Sequence, residues 1–163
     1  MPVNVQTQVQ AQLEWMKDYL LGWVQDNGGD CVIVSNLLDL WEASSQSSQK
    51  PLVFLCWAGE ESWGAFETRA VTHRVKREWM VRVKQGRGYK SVRGDTVLQF
   101  STVVEHIRDM IRAMLGVSED EGVDYTSTKL VRLGDQVMDC YDIVFSTQND
   151  MPPILMSPDN SPS

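Results

Sequence analysis

Long hydrophobic runs are missing from this chain of 163 residues. No apolar stretch approaches the eighteen or so residues that span a bilayer, so no helical membrane span is expected. Histidine is scarce, with only His73 and His106. No C-x-x-C pair or Cys/His cluster has zinc-ligand spacing. Cys31, Cys56 and Cys140 are an odd number, each inside an apolar or strand-like run, so reduced and buried thiols are expected. The amino-terminal MPVNVQTQVQAQ has no basic stretch followed by an apolar one, so no export signal is expected and a reducing cytoplasm is the anticipated compartment. Proline is nearly absent from the body of the chain; Pro152, Pro153, Pro158 and Pro162 crowd its end.

What remains is acidic and rich in tryptophan: net charge −7, six Trp and 42% apolar residues. That suffices for one domain with a real core. A sequence pI of about 4.8 argues against a general nucleic-acid coat, which is usually basic throughout.

Val9, Leu13, Met16, Leu20 and Trp23 form an apolar stripe on a helix from about Val5 to Gln25, ended by Asn27-Gly28-Gly29. Cys31 to Val34 is a short buried strand. Ser35-Asn36 can cap a brief helical turn through Leu37, Leu38, Leu40 and Trp41. Ser44 to Gln49 is expected to be a polar, mobile loop. Pro51 introduces Leu52 to Ala58, apolar on both sides and therefore an interior strand.

Residues 71 to 84, VTHRVKREWMVRVK, alternate strictly. Odd positions (Val71, His73, Val75, Arg77, Trp79, Val81, Val83) can pack on a core, while even positions meet solvent or a partner. The segment is long beside a usual strand of about five or six residues. Arg69 to Arg93 holds nine Lys/Arg and one acid, Glu78, a local +8 that leaves −15 elsewhere.

Gln85 to Lys90 is expected to be a flexible cationic loop. Thr102 and Glu105 suggest a capping box for a second helix carrying Val103, Ile107, Met110, Ile111 and Met114. Ser118 to Asp124 is an acidic connector. Lys129 to Leu133, a Gly134-Asp135 turn and Val137 to Ser146 make a terminal hairpin. The fold class is therefore α+β, a mostly antiparallel sheet packed against two main amphipathic helices. Residues 1–147 form the domain and 148–163 a Pro-rich flexible tail with a possible docking segment at Ile154-Leu155-Met156.

Chemistry is hard to find. His73 falls on a core face and His106 on a helix surface, neither beside a nucleophile motif. Glu60-Glu61 and Glu119-Asp120-Glu121 lie in expected loops, where solvated charge explains them. Gly86-Arg87-Gly88 lacks the third glycine and the apolar helix start of a phosphate-binding fingerprint. No catalytic, cofactor-binding or metal residue is assigned, and no enzyme activity or cofactor is expected. The basic ribbon survives: Arg74, Lys76, Arg82, Lys84, Arg87 and Lys90. It is either a solvated face that keeps an edge from mispairing or an electrostatic docking surface for an acidic subunit or nucleic acid.

The order of elements resembles the tail terminator (tail completion) proteins of long-tailed bacteriophages. The likeness lies in the amino-terminal amphipathic helix, the Pro-initiated strand 51–58, and the long strand from His73-Arg74-Val75 through Trp79-Met80-Val81-Arg82-Val83. The helix from Val103 to Leu115 and the closing Tyr141-Asp142-Ile143-Val144-Phe145 complete it, over roughly residues 5 to 147. This resemblance implies a virion protein, assembled in the host cytoplasm, that forms a ring, usually a hexamer, on the head-proximal end of the tail tube. Its partners would be further copies of itself, the tube protein and the head connector, with genome DNA passing the lumen without specific binding. The alternatives are another head–tail connector protein and a nucleic-acid-binding module using strand 71–84.

Overall fold

The computed structural model describes residues 7–62, 73–86, 100–115 and 123–151. They form helix α1 (Gln8–Asp26), strand β1 (Asp30–Ile33), helix α2 (Leu37–Ser45), strands β2 (Leu52–Ser62) and β3 (His73–Lys84), helix α3 (Phe100–Leu115), and strands β4 (Val123–Leu133) and β5 (Gln136–Met151). The sheet order is β1-β2-β3-β5-β4. β1 runs parallel to β2 and every other pairing is antiparallel, as an α+β sequence pattern requires.

Thr7 caps α1 by accepting from the Gln10 amide, and the chain leaves the helix through Asn27 and the left-handed Gly28 (φ 80°). The stripe buries Leu13, Met16, Leu20 and Val24. They meet Val103, Val104, Ile107 and Ile111 of α3 over the odd face of β3, where Trp79, Val81 and Val83 join Val53, Leu55, Ile143 and Phe145. Each fully buried aliphatic side chain here contributes about 1.5–3 kcal/mol of transfer free energy. The Trp79 indole donates to Thr147 Oγ1 at 2.8 Å, which satisfies the polar atom of the largest fully buried side chain. The Trp57 indole N–H, by contrast, is buried without a partner among the described residues.

The opposite face has its own, smaller core. Leu40 of α2 packs with Val34, Phe54 and Cys56, flanked by Val32, Ala43, Leu52 and Met80. The domain is thus three layers, α1 and α3 on one side of the sheet and α2 on the other. All three cysteines are free and buried.

Several sequence expectations need correction. The serine tract is not all loop: α2 runs through Ser44 and Ser45, and Ser44 is fully buried with its hydroxyl donating to the Leu40 carbonyl. Asn36 does cap this helix, accepting from the Asp39 amide at 2.8 Å. α3 begins by Phe100, so Thr102 lies inside its first turn and cannot be the cap of a capping box. β4 starts at Val123, within the expected acidic connector. β5 continues to Met151, so Gln148 to Met151 belong to the sheet and not to the tail.

Gly86 is also fixed in place. A Cβ there would clash with the backbone of Lys50 and Pro51, so the expected flexible loop begins with a buried close approach of two backbones. Its continuation, with Arg87 and Lys90, lies outside the described residues, as do Val71 and Thr72.

Candidate assembly surface

Antiparallel register carries the even side of β3 across the sheet as rows of side chains on one face. Leu52, Lys84 and Cys140 form one row; Phe54, Arg82 and Asp142 the next; Cys56, Met80 and Val144 the third. α2 covers these rows. Beyond them a bulge at Trp57–Gly59 shifts the register, so Gly59 faces Glu78 and Ser146, and Glu61 faces Lys76 and Gln148.

The covered rows remove two cations from the expected docking ribbon. Arg82 is 3% exposed and grips Asp142 through both carboxylate oxygens, at 2.7 and 2.9 Å. Its remaining nitrogen donates to Ser44 Oγ at 2.8 Å, and its guanidinium lies 5.1 Å from the Trp41 ring. Lys84, 4% exposed, donates to the Ser44 carbonyl and lies 3.5 Å from Asp139. Two buried cations therefore sit at the carboxyl end of α2, where the helix dipole and unsatisfied carbonyls favour positive charge. Arg82 and Lys84 do not face solvent or a partner; they hold α2 on the sheet.

The odd face has a related device. Arg77 is 3% exposed, 3.4 Å from Glu60, and donates to Gln8 Oε1 at 2.7 Å and Gln12 Oε1 at 3.3 Å. It ties the start of α1 to the far half of β3.

Of the expected ribbon, Lys76 keeps an open position. It lines a depression of about 460 Å³ with Ala58, Gly59, Glu60, Glu61, Glu78, Thr126 and Ser146. Glu60 is paired with Arg77, which leaves Glu61 and Glu78 beside Lys76, so the depression is not the cationic surface expected. Arg74 pairs through its backbone with Asp150 in β5. Arg87 and Lys90 lie outside the described residues. The structure does not bring the six cations together on one free surface.

α2 is oriented by its contacts. Ser44 lies at Arg82 and Lys84, Leu40 in the layer of Phe54 and Cys56, so its amino end runs towards the open rows. That end presents Leu37 and Leu38, 46% and 65% exposed. At the other pole of the sheet, β3 ends where Lys84 meets Cys140, but β4 and β5 continue to the Arg132–Val137 and Leu133–Gln136 pairs. The β4–β5 hairpin therefore projects beyond the sheet body, with Arg132 and Val137 exposed on it, while the exposed Lys129 lies opposite Asp142 within the body. On α1, Trp15 and Tyr19 are roughly half exposed with ring centroids 6.4 Å apart.

Nucleophile chemistry is damped at the thiols. Burial pushes Cys31 up to about 12 and Cys140 up to about 11, and raises Cys56 as well. His106 is exposed and stacks on Trp23 at 4.3 Å; of His73 only the backbone is described, paired with Met151. Among the described residues no group of three or more His, Cys, Asp or Glu could hold a metal ion. Nor is any helix among them long and apolar enough to cross a membrane.

The sequence hid this arrangement because both sides of β3 carry the same alternation along its whole length. Only Ser44, at the end of an apolar helical pattern, hinted that the serine tract would be drawn into the fold. Comparison with protein-family models and with curated proteins finds no match to this chain.

Proposed function

We propose that this chain is a structural assembly subunit of the tail-terminator kind. In this role it forms a ring on the head-proximal end of a phage tail tube, ends tube growth and offers a surface to the head connector. The observation that carries the proposal is the half-open sheet: strands of 11 to 16 residues extend well past α2 and leave a polar face and a protruding hairpin that no other described residues cover. Uncovered sheet ends of this kind suit contact between subunits. The order of helix, strands, helix and hairpin that carries the family resemblance supports the same role.

The partners are then further copies of the chain, six in the usual ring, together with the tube protein and a neck protein. Genome DNA passes the lumen without specific contacts, and the site of action is the virion. With Arg82 and Lys84 used internally, a phosphate-binding ribbon loses two of its six cations, which favours assembly over nucleic-acid binding.

The test is to add the purified chain to polymerising tail tube protein and measure tube lengths by electron microscopy. Shortened tubes capped at one end by a ring are expected. Tubes of unchanged length and without caps, at saturating chain, would overturn the proposal.

A further inference from the structure

Trp15 and Tyr19 stand 49% and 44% exposed on α1, their ring centroids 6.4 Å apart. Single exposed apolar side chains are ordinary, but two large rings side by side mark a contact surface. Beyond β5, residues 152–163 lie outside the described residues and read PPILMSPDNSPS. That stretch holds four prolines, the apolar Ile154-Leu155-Met156 and a single charge, Asp159. Proline-rich segments dock on aromatic-lined faces because their extended form is set before binding and little entropy is lost.

The chain leaves the sheet at the pole where α1 begins. Met151 pairs with His73, and four residues earlier Thr147 pairs with Arg77. The Arg77 guanidinium donates to Gln8 and Gln12, in the first turns of α1. From there α1 runs along the sheet to Val24, which meets Val53 and Val83. Gln8, Gln12, Trp15, Tyr19 and Trp23 follow one another at steps of three or four and so share one flank of the helix. Trp23 at its far end stacks on His106 of α3, so the exposed rings lie between Arg77 and α3.

The reach of the chain fits this place. Along the surface the rings lie about 30 Å from Met151, counting about 3.3 Å per strand residue, about 1.5 Å per helix residue and about 10 Å for the helix diameter. At about 3.1 Å per residue in the polyproline form, Pro158 stands about 22 Å beyond Met151 and Pro162 about 34 Å. The two prolines bracket the rings. Ile154 to Met156 then pass the start of α1, where Val9 is only partly covered.

We infer that residues 154–162 return over α1 of the same copy, Pro158 to Pro162 covering Trp15 and Tyr19. A short tether holds its end at about millimolar effective concentration beside its own subunit, so a contact too weak to form between dilute molecules is made within one. Tether and matching reach together select the same copy over a second one. The aromatic pair is thereby covered by its own chain, and a partner that seeks this helix must first displace the strap. The inference goes beyond the assembly proposal and does not rest on it.

A nitroxide on Ser161→Cys tests the contact in the full chain, read from the NMR signals of the tryptophan indoles. Cys31, Cys56 and Cys140 are buried, so at neutral pH the label goes to the new thiol. Trp15→Phe identifies the Trp15 signal. The label is expected to remove most of that signal and to spare Trp41, which sits on α2 across the sheet. Adding Leu155→Ser, Met156→Ser, Pro158→Gly and Pro162→Gly to the labelled chain is expected to bring the Trp15 signal back.

A Trp15 signal that is equally strong with either tail would overturn the docking. Labelled chain mixed with isotope-enriched unlabelled chain is expected to leave Trp15 untouched. Loss of the Trp15 signal in that mixture would place the segment on a second copy and sink the inference.

Discussion

Arg82 and Lys84 share one side of β3 with Lys76, yet their environments are opposite. The first two are 3% and 4% exposed and bound to Asp142, Asp139 and Ser44, while Lys76 opens on a depression with no ion pair among the described residues. The difference is set by α2, which covers one half of that face and stops. A cation under the helix must find partners for its charge, because burying it alone is costly. A cation beyond the helix keeps water and remains available to another molecule. Cations on the same side of one strand are therefore tied into the fold in one half and left without an ion pair among the described residues in the other.

The contrast is broken most severely at Arg82. Arg82→Ala leaves Asp142 without its buried partner and is expected to cost about 3–5 kcal/mol, the range for splitting a buried pair. Urea denaturation followed by tryptophan fluorescence measures it. Replacing both members, Arg82→Met with Asp142→Leu, is expected to restore most of that loss, since an apolar pair of similar volume is often neutral or stabilising. A double variant as unstable as Arg82→Ala would show that the contact is more than a compensated burial.

Lys84→Met keeps the apolar stem but loses the charged donor to the Ser44 carbonyl. A loss of about 1–3 kcal/mol is expected, smaller than at Arg82 because a single buried acceptor is left unsatisfied. Hydrogen exchange at the last turn of α2 should rise with it. Unchanged protection there would mean that the ammonium does not anchor the helix.

The alkaline limb sharpens the comparison from the other layer. Burial raises the Cys31 thiol from 9.0 to about 12, so between these values the folded chain keeps a proton that the unfolded chain releases. Its contribution to stability is full below pH 9 and is lost progressively as pH rises towards 12. Cys31→Ala should therefore show a shallower fall of stability with pH across that window, measured by urea titrations at several pH values. Identical slopes would remove Cys31 as a cause. At the smallest end, Lys76→Ala should change stability by no more than about 0.5 kcal/mol, as for surface sites without partners. A larger loss would place Lys76 with the structural cations.

Much of the frame was legible. The stripe from Val9 to Trp23 announces α1 because burial recurs with helical period, and the alternation of residues 73–84 announces a strand because its period is two. Asn36 was recognisable as a cap. The limits of elements were less so: Tyr125 to Thr128 carry no clear alternation, and their strand exists because β5 offers a ladder to pair with. Ser44 read as loop because serine is indifferent to helix, and only its bond to Arg82 makes it core.

By itself the sequence determined where the main helices and the long strand must lie, that one side of β3 would be greasy, and that charge would be divided unevenly. Those follow from local periodicity and from side-chain chemistry that each residue carries wherever it goes. The tertiary structure alone decided which cations are spent and which are free. That choice depends on how far a nine-residue helix reaches across a sheet, and on which carboxylates distant strands bring within hydrogen-bond distance.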